Sequence, residues 1–195
     1  MLIYPKIYLE NATKISEKII KENNIKGIIL DVDNTLLYYN REMLENVDIW
    51  CNNLKEKGIK FCIVSNSNKK DKIKMIAEKL KIPYISFGMK PLKFGLKKAQ
   101  RILKLDSTNI AVVGDQIFTD VIGANRCKMF SILVKPLEEK DILITRIKRP
   151  IENAVIKRYV KQEEEEENVH KWYSYYLLYN IWDIGRRGSD NLLTG

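Results

Sequence analysis

One histidine, His170, stands among 195 residues. A single imidazole excludes multi-histidine metal centres, and its place in an unusual C-terminal stretch argues against Ser-His-Asp and Cys-His machinery. Three cysteines, Cys51, Cys62 and Cys127, are too few and too scattered for a disulfide framework or a zinc site. They read as reduced thiols, which points to the cytoplasm. No run of about 18 apolar residues occurs, so no membrane-spanning helix is expected. The start, MLIYPKIYLENATK, lacks the basic head and long apolar core of a secretion signal. Any catalysis must therefore use Asp, Glu, Ser, Thr or Lys.

Positive charge is abundant: 34 Lys and Arg face 25 Asp and Glu, a net of +9. It is unevenly placed. Residues 163–195 open with five consecutive glutamates and carry −4, which leaves +13 on residues 1–162. We read 1–162 as one domain and 163–195 as an acidic linker with an aromatic-rich tail of unassigned role. In that tail Trp172, Tyr175, Tyr176, Tyr179 and Trp182 recur at helical spacing. A basic body suits a polyanionic partner, whether a membrane surface, a nucleic acid or a phosphorylated substrate. Lysines scattered over solvated helix faces account for the same numbers.

Apolar strand-like runs alternate with helical ones. Strands are expected at 27–31, 59–65, 84–87, 109–114 and 130–134. Helices are expected at 42–57, 69–81, 91–104 (with Pro91 in the first turn) and 119–127. Near-continuous apolar strands separated by helices imply an α/β fold, a Rossmann-like doubly wound parallel sheet. Ligands in such folds sit at the carboxyl ends of strands. Here those ends carry Asp31-Val-Asp33-Asn34-Thr35, Ser65-Asn66-Ser67, Lys90-Pro91 and Gly114-Asp115, with Asp120 five residues on. Each element alone is commonplace as a solvated turn. Four in order at strand ends are not. Carboxylates at Asp31, Asp33 and Asp115 would repel if they converged, and a hard divalent cation such as Mg2+ resolves that conflict. Lys90 adds a charge and Ser65 a hydroxyl for a phosphoryl group. The set spells metal-assisted phosphoryl transfer.

These motifs, with the surrounding DVDNTL, IVSNS, GDQIFTDVIGANR and SILVKP, resemble haloacid dehalogenase (HAD) superfamily phosphatases of subfamily IIIA, YqeG-type, over roughly residues 26–136. The resemblance implies that Asp31 is the nucleophile of an aspartyl-phosphate and Asp33 the general acid and base. Thr35 shapes the first turn, and Ser65 and Lys90 hold phosphoryl oxygens. Asp31, the Asp33 carbonyl and Asp115 ligate Mg2+, supported by Asp120. Asn66 is placed to touch the phosphate, and Asn125 and Arg126 follow the short helix within reach of substrate, where a helix C-terminal charge on the dipole explains them equally well. YqeG-type proteins are similar to phosphatidylglycerophosphate phosphatases, which implies a phospholipid head group as substrate.

The spacing leaves no room for a separate cap: Leu36–Lys60 and Asn68–Met89 hold one helix each, with a short strand in the second. A capless, open site suits a bulky phosphate ester, or a small one if an oligomer covers it. A basic body suits peripheral contact with an anionic membrane, and residues 2–9 and 146–161 are candidates to touch it; packing against the sheet explains them as well. Two alternatives stand beside the lipid reading. One is a phosphatase for a soluble sugar phosphate or nucleotide. The other is a low-turnover RNA- or ribosome-binding protein, against which count the intact site and the lack of any RNA-binding motif.

Overall fold

The computed structural model describes residues 2–138, 152 and 154–162. The chain divides into two compact units, Met1–Glu152 and Asn153–Gly195. In the second unit residues 154–162 are helical. The aromatic tail at 163–195 and the basic stretch 146–151 lie outside the described residues.

The first unit is a parallel sheet with helices on both faces. Its strands are β1 (Ile7–Leu9), β2 (Gly27–Leu30), β3 (Lys60–Val64), β4 (Tyr84–Ile85), β5 (Ile110–Gly114) and β6 (Phe130–Val134), in the order β1-β6-β5-β2-β3-β4. Every pairing is parallel. The helices are α1 (Glu17–Glu22), α2 (Val47–Glu56), α3 (Lys70–Leu80), α4 (Lys93–Leu103) and α5 (Ile122–Arg126).

Strand periodicity sorts the core into two layers. Ile28 and Leu30 of β2 join Phe61, Ile63, Ala111 and Val113 on one face, where Val47, Cys51 and Leu54 of α2 and Ile73 and Ile76 of α3 cover them. Ile29 joins Cys62, Val64, Ile110 and Val112 on the other, under Leu96, Ala99 and Leu103 of α4 and Ala124 of α5. The central strands are apolar at every position because both faces are covered. All three cysteines are buried and free, and burial pushes the thiols up, that of Cys51 to about 11 and that of Cys62 to about 12. No described helix is long and apolar enough to cross a membrane.

β2 holds the switch point. Its sequence successor β3 lies on one side and β5 on the other, so the connections leave in opposite directions and open a crevice at its carboxyl end.

Three sequence expectations are corrected. The helix expected from Glu42 starts only at Val47, because Leu37 bridges Met43 and Asn46 takes a left-handed backbone (φ 59°). Pro91 is not in the first turn of α4: the Lys90-Pro91 peptide is cis, Leu92 is the N-cap and the helix begins at Lys93. The 119–127 helix is a π-turn at Ile117–Val121 leading into α5. The N-terminal segment adds β1 to the sheet edge, with Ile7 opposite Ile132, the packing reading given above beside membrane contact.

Candidate active site

Asp31 follows β2, Ser65 follows β3 and Asp115 follows β5, so register alone carries three polar side chains to one rim. Asp31 is still held in the ladder, its N–H donating to the Val113 carbonyl at 2.9 Å. The loop after β4 then brings Lys90 inward. Its ammonium is almost wholly buried and donates to Asp31 Oδ1 at 2.7 Å and to Asp120 Oδ1 at 2.6 Å. Asp120 reaches the crevice from the π-turn, and its second oxygen accepts from the Gln116 N–H and the Thr119 hydroxyl, both at 3.2 Å. The extra residue in that turn and the absence of a side chain at Gly114 make the approach feasible. A Cβ on Gly114 would lie 2.2 Å from the Asp120 carboxyl carbon.

Asp31, Asp115 and Asp120, all buried, each present a carboxylate oxygen within 4.8 Å of the others. Lys90 bonds two of these acids, Asp31 and Asp120. Burial raises Asp31 most; Lys90 pulls against it, and Asp120 and Asp33 add repulsion, so its carboxyl is pushed up to about 7. Burial also works against the Lys90 charge, but Asp120 and Asp31 outweigh it and hold the lysine above its ordinary value. An all-oxygen cluster with excess negative charge fits a hard divalent cation better than a thiolate- or imidazole-seeking metal.

The remaining expected residues fall into three groups. Thr35 and Ser65 are buried at the crevice, Ser65 accepting from the Ser67 N–H at 3.1 Å, while the Thr35 hydroxyl has no hydrogen-bond partner among the described residues. The Asp33 carboxylate stands outside the acidic cluster, half-exposed, in an ion pair with Lys72 of α3. Three others do not converge on the acids. Asn66 spends its amide on the backbone of Lys90, donating to the carbonyl at 2.8 Å and accepting from the N–H at 2.7 Å. Asn125 donates to the carbonyls of Leu2 and Tyr4 and accepts from Ser131, so it fastens the N-terminal strand instead of facing substrate. Arg126 is exposed, its guanidinium 3.4 Å from the Pro91 carbonyl.

Sequence reasoning missed Lys72, a helix-face lysine with nothing local to set it apart. It also missed what holds the first motif. Asn34 sits at φ 63°, a backbone Asn tolerates, and its side chain bonds both the N–H and the carbonyl of Glu138.

The comparisons with known proteins agree with this geometry. Residues 1–137 match the family model described as mitochondrial PGP phosphatase. The chain is 38% identical to the probable phosphatase YqeG of Bacillus subtilis over 153 residues, 78% of this chain and 88% of that protein. It is 25% identical to phosphatidylglycerophosphate phosphatase 1, chloroplastic/mitochondrial, of Arabidopsis thaliana over 171 residues, covering 82% of this chain and about half (49%) of that one. Among solved structures, an uncharacterized protein from Listeria monocytogenes aligns with a TM-score of 0.49 at 20% identity, over 60% of this chain and 85% of that one. With an acid-rich crevice at the switch point of a parallel sheet, and these relatives, the chain belongs to the PGP phosphatase family of HAD-type phosphatases, enzymes that hydrolyse phosphate monoesters.

Proposed function

We propose that the chain is a Mg2+-dependent phosphomonoesterase that works through an aspartyl-phosphate on Asp31 and takes phosphatidylglycerophosphate to phosphatidylglycerol. The observation that carries the chemistry is Asp31 buried at the switch point, fixed by Lys90 at 2.7 Å, with the Asp33 carboxylate two residues on and outside the acidic cluster.

An ionised Asp31 oxygen attacks phosphorus, and the ester P–O bond breaks. Asp33, in its protonated form and parted from Lys72, gives its proton to the leaving alcohol and is left as the carboxylate. It then takes a proton from the water that cleaves the acyl phosphate, which frees inorganic phosphate and restores Asp31. Lys90 and Ser65 hold phosphoryl oxygens as charge moves onto them. Asn66 and Lys72 are positioning residues, the first for Lys90 and the second for Asp33. Asp31, Asp115, Asp120 and the Asp33 carbonyl would hold Mg2+, which when bound supplies positive charge to the carboxylates and the phosphoryl group.

The lipid assignment is supported by the family and by the basic body. Its test is phosphate release from phosphatidylglycerophosphate in mixed micelles beside a panel of soluble phosphate esters, with and without chelator and with Asp31→Asn as blank. Preference for the lipid is expected. Preference for a sugar phosphate or nucleotide would remove the lipid substrate and keep the chemistry. No release from any ester would remove both.

A further inference from the structure

The loop that delivers Lys90 inward presents a different face outward. Phe87 is 61% exposed, Met89 38%, Leu92 51% and Phe94 57%. These four large apolar side chains occupy eight residues around a buried lysine. The segment closes on itself: the Gly95 N–H donates to the Gly88 carbonyl at 3.2 Å and the Leu92 N–H to the Met89 carbonyl at 2.8 Å. Gly95 packs so tightly that a Cβ there would lie 2.4 Å from the Gly88 oxygen. The side chains therefore bunch into one patch, on the order of 400 Å2, the scale at which exposed apolar surface marks an interaction site.

The loop is held firmly. Gly88 donates to the Ser65 carbonyl at 2.8 Å, Phe87 to that of Ser67 at 3.4 Å, and Asn66 grips Lys90. Phe87 is doubly unfavourable in water, being an exposed aromatic ring on a left-handed backbone (φ 54°) that suits Asn or Gly better.

The surroundings specify the partner. The segment 86–96 carries no acid, and its one exposed cation is Lys93. Exposed Lys93 lies between Leu92 and Phe94 in the sequence, and Arg126 touches the Pro91 carbonyl. Exposed Lys69 and Lys70 follow Ser67 beside Phe87, with Asp71 next to them the nearest acid in that stretch. An apolar patch rimmed by cations matches an anionic bilayer, whose headgroups take the cations while the rings enter the interface.

We propose that Phe87, Met89, Leu92 and Phe94 form an interfacial anchor that seats the mouth of the active site on an anionic lipid bilayer. The inference rests on the lipid reading above for its purpose, but its contact chemistry can be tested apart from turnover.

The test is co-sedimentation of the full chain with phosphatidylcholine vesicles and with vesicles that also contain phosphatidylglycerol, for the parent and for the triple variant Phe87→Asn, Leu92→Ser and Phe94→Gln. The parent is expected to bind the anionic vesicles selectively, and the triple variant at least about tenfold more weakly. Both should hydrolyse a small water-soluble ester alike, and the triple variant should melt no lower than the parent, because the replaced side chains face water and Asn suits the backbone at position 87. Equal vesicle binding by both proteins would overturn the anchor, as would no binding by the parent. A parent dimer made monomeric by the substitutions, without any vesicle effect, would assign the patch to a second copy instead. Short-chain, dispersed phosphatidylglycerophosphate separates the two readings. Hydrolysis without vesicle binding removes the anchor alone, and vesicle binding without hydrolysis removes the substrate alone.

Discussion

Asp31→Asn is expected to make the metal-free protein more stable while abolishing turnover. In the folded chain the Asp31 carboxyl titrates at about 7, against 3.8 for a free side chain, chiefly because it is buried and then because Asp120 and Asp33 repel it. The native state thus keeps this proton to higher pH than the unfolded chain does. Its contribution to stability is whole below pH about 4 and is lost as pH rises through about 7. Above that, the ionised form costs at most about 4 kcal/mol. Asparagine has no charge to bury and can still accept from Lys90, so about 1–4 kcal/mol should return at pH 8. For a domain of this size that is roughly 3–12 °C in Tm. Thermal melts with chelator at pH 5 and pH 8 read the effect directly. The variant should lead at pH 8 and by clearly less at pH 5. Adding Mg2+ should then raise the parent more than the variant, since a ligand bound only by the native state stabilises it. A variant no more stable than its parent at pH 8, or a difference that ignores pH, would refute the account of Asp31 as a destabilised anion.

Three further outcomes are expected. Asp33→Asn should slow hydrolysis about 100- to 10,000-fold for esters with poor leaving groups and much less for good ones; equal losses would count against its acid role. Gly114→Ala should push the Asp120 carboxylate off Lys90, since the added methyl lies 2.2 Å from its carbon. Mg2+ affinity measured by calorimetry should then fall at least about tenfold. Asn66→Ala should lower kcat about tenfold or more with little change in KM and a small change in Tm, because it frees the Lys90 backbone without touching the core. A fall in KM-limited binding alone would assign Asn66 to substrate instead.

The fold was legible because its strands are short, apolar and buried on both sides, so each polar residue that ends a run marks a carboxyl end. That rule located Asp31, Ser65 and Asp115 from local pattern alone. Lys90 was legible only as a motif, since a 24-residue excursion through α3 and β4 separates it from Ser65. Pairings across such excursions stayed hidden. Asn66 looks like a substrate ligand until Lys90 is seen lying against it, and Lys72 looks like any solvated lysine until Asp33 is opposite. Asn125 misled for the reverse reason: its nearness in sequence to Asp120 suggested the site, yet the turn into α5 sends it to the N-terminal strand. The helix start at Val47 was lost to a tertiary contact, the Leu37 to Met43 bridge, which outweighs the helical pattern from Glu42 onward. Gly114 shows the limit most clearly, because a glycine before an aspartate reads as a turn, while its function is to leave room for a residue six positions on.

Charge sets the order in which the site fills. The body is basic and draws phosphate esters toward it, but the crevice is acidic: Asp31, Asp115 and Asp120 cluster there, Lys90 bonds Asp31 and Asp120, and Asp33 is already paired to Lys72. Two like charges about 5 Å apart repel by roughly 3 kcal/mol at an effective dielectric of 20. A phosphate dianion entering that crevice therefore meets a penalty of several kcal/mol that Lys90, already shared between two carboxylates, does not cancel. On the Mg2+-dependent mechanism proposed above, a divalent cation removes the excess and binds before the ester settles. Inorganic phosphate, titrated calorimetrically into the chelated protein, should show binding at least about a hundredfold weaker than in millimolar Mg2+. Asp115→Asn should narrow that gap by lowering the acidic excess while leaving Lys90 in place. Phosphate affinity that is the same with and without the cation would mean that Lys90 and the basic surround suffice, and the acidic cluster would then need another explanation.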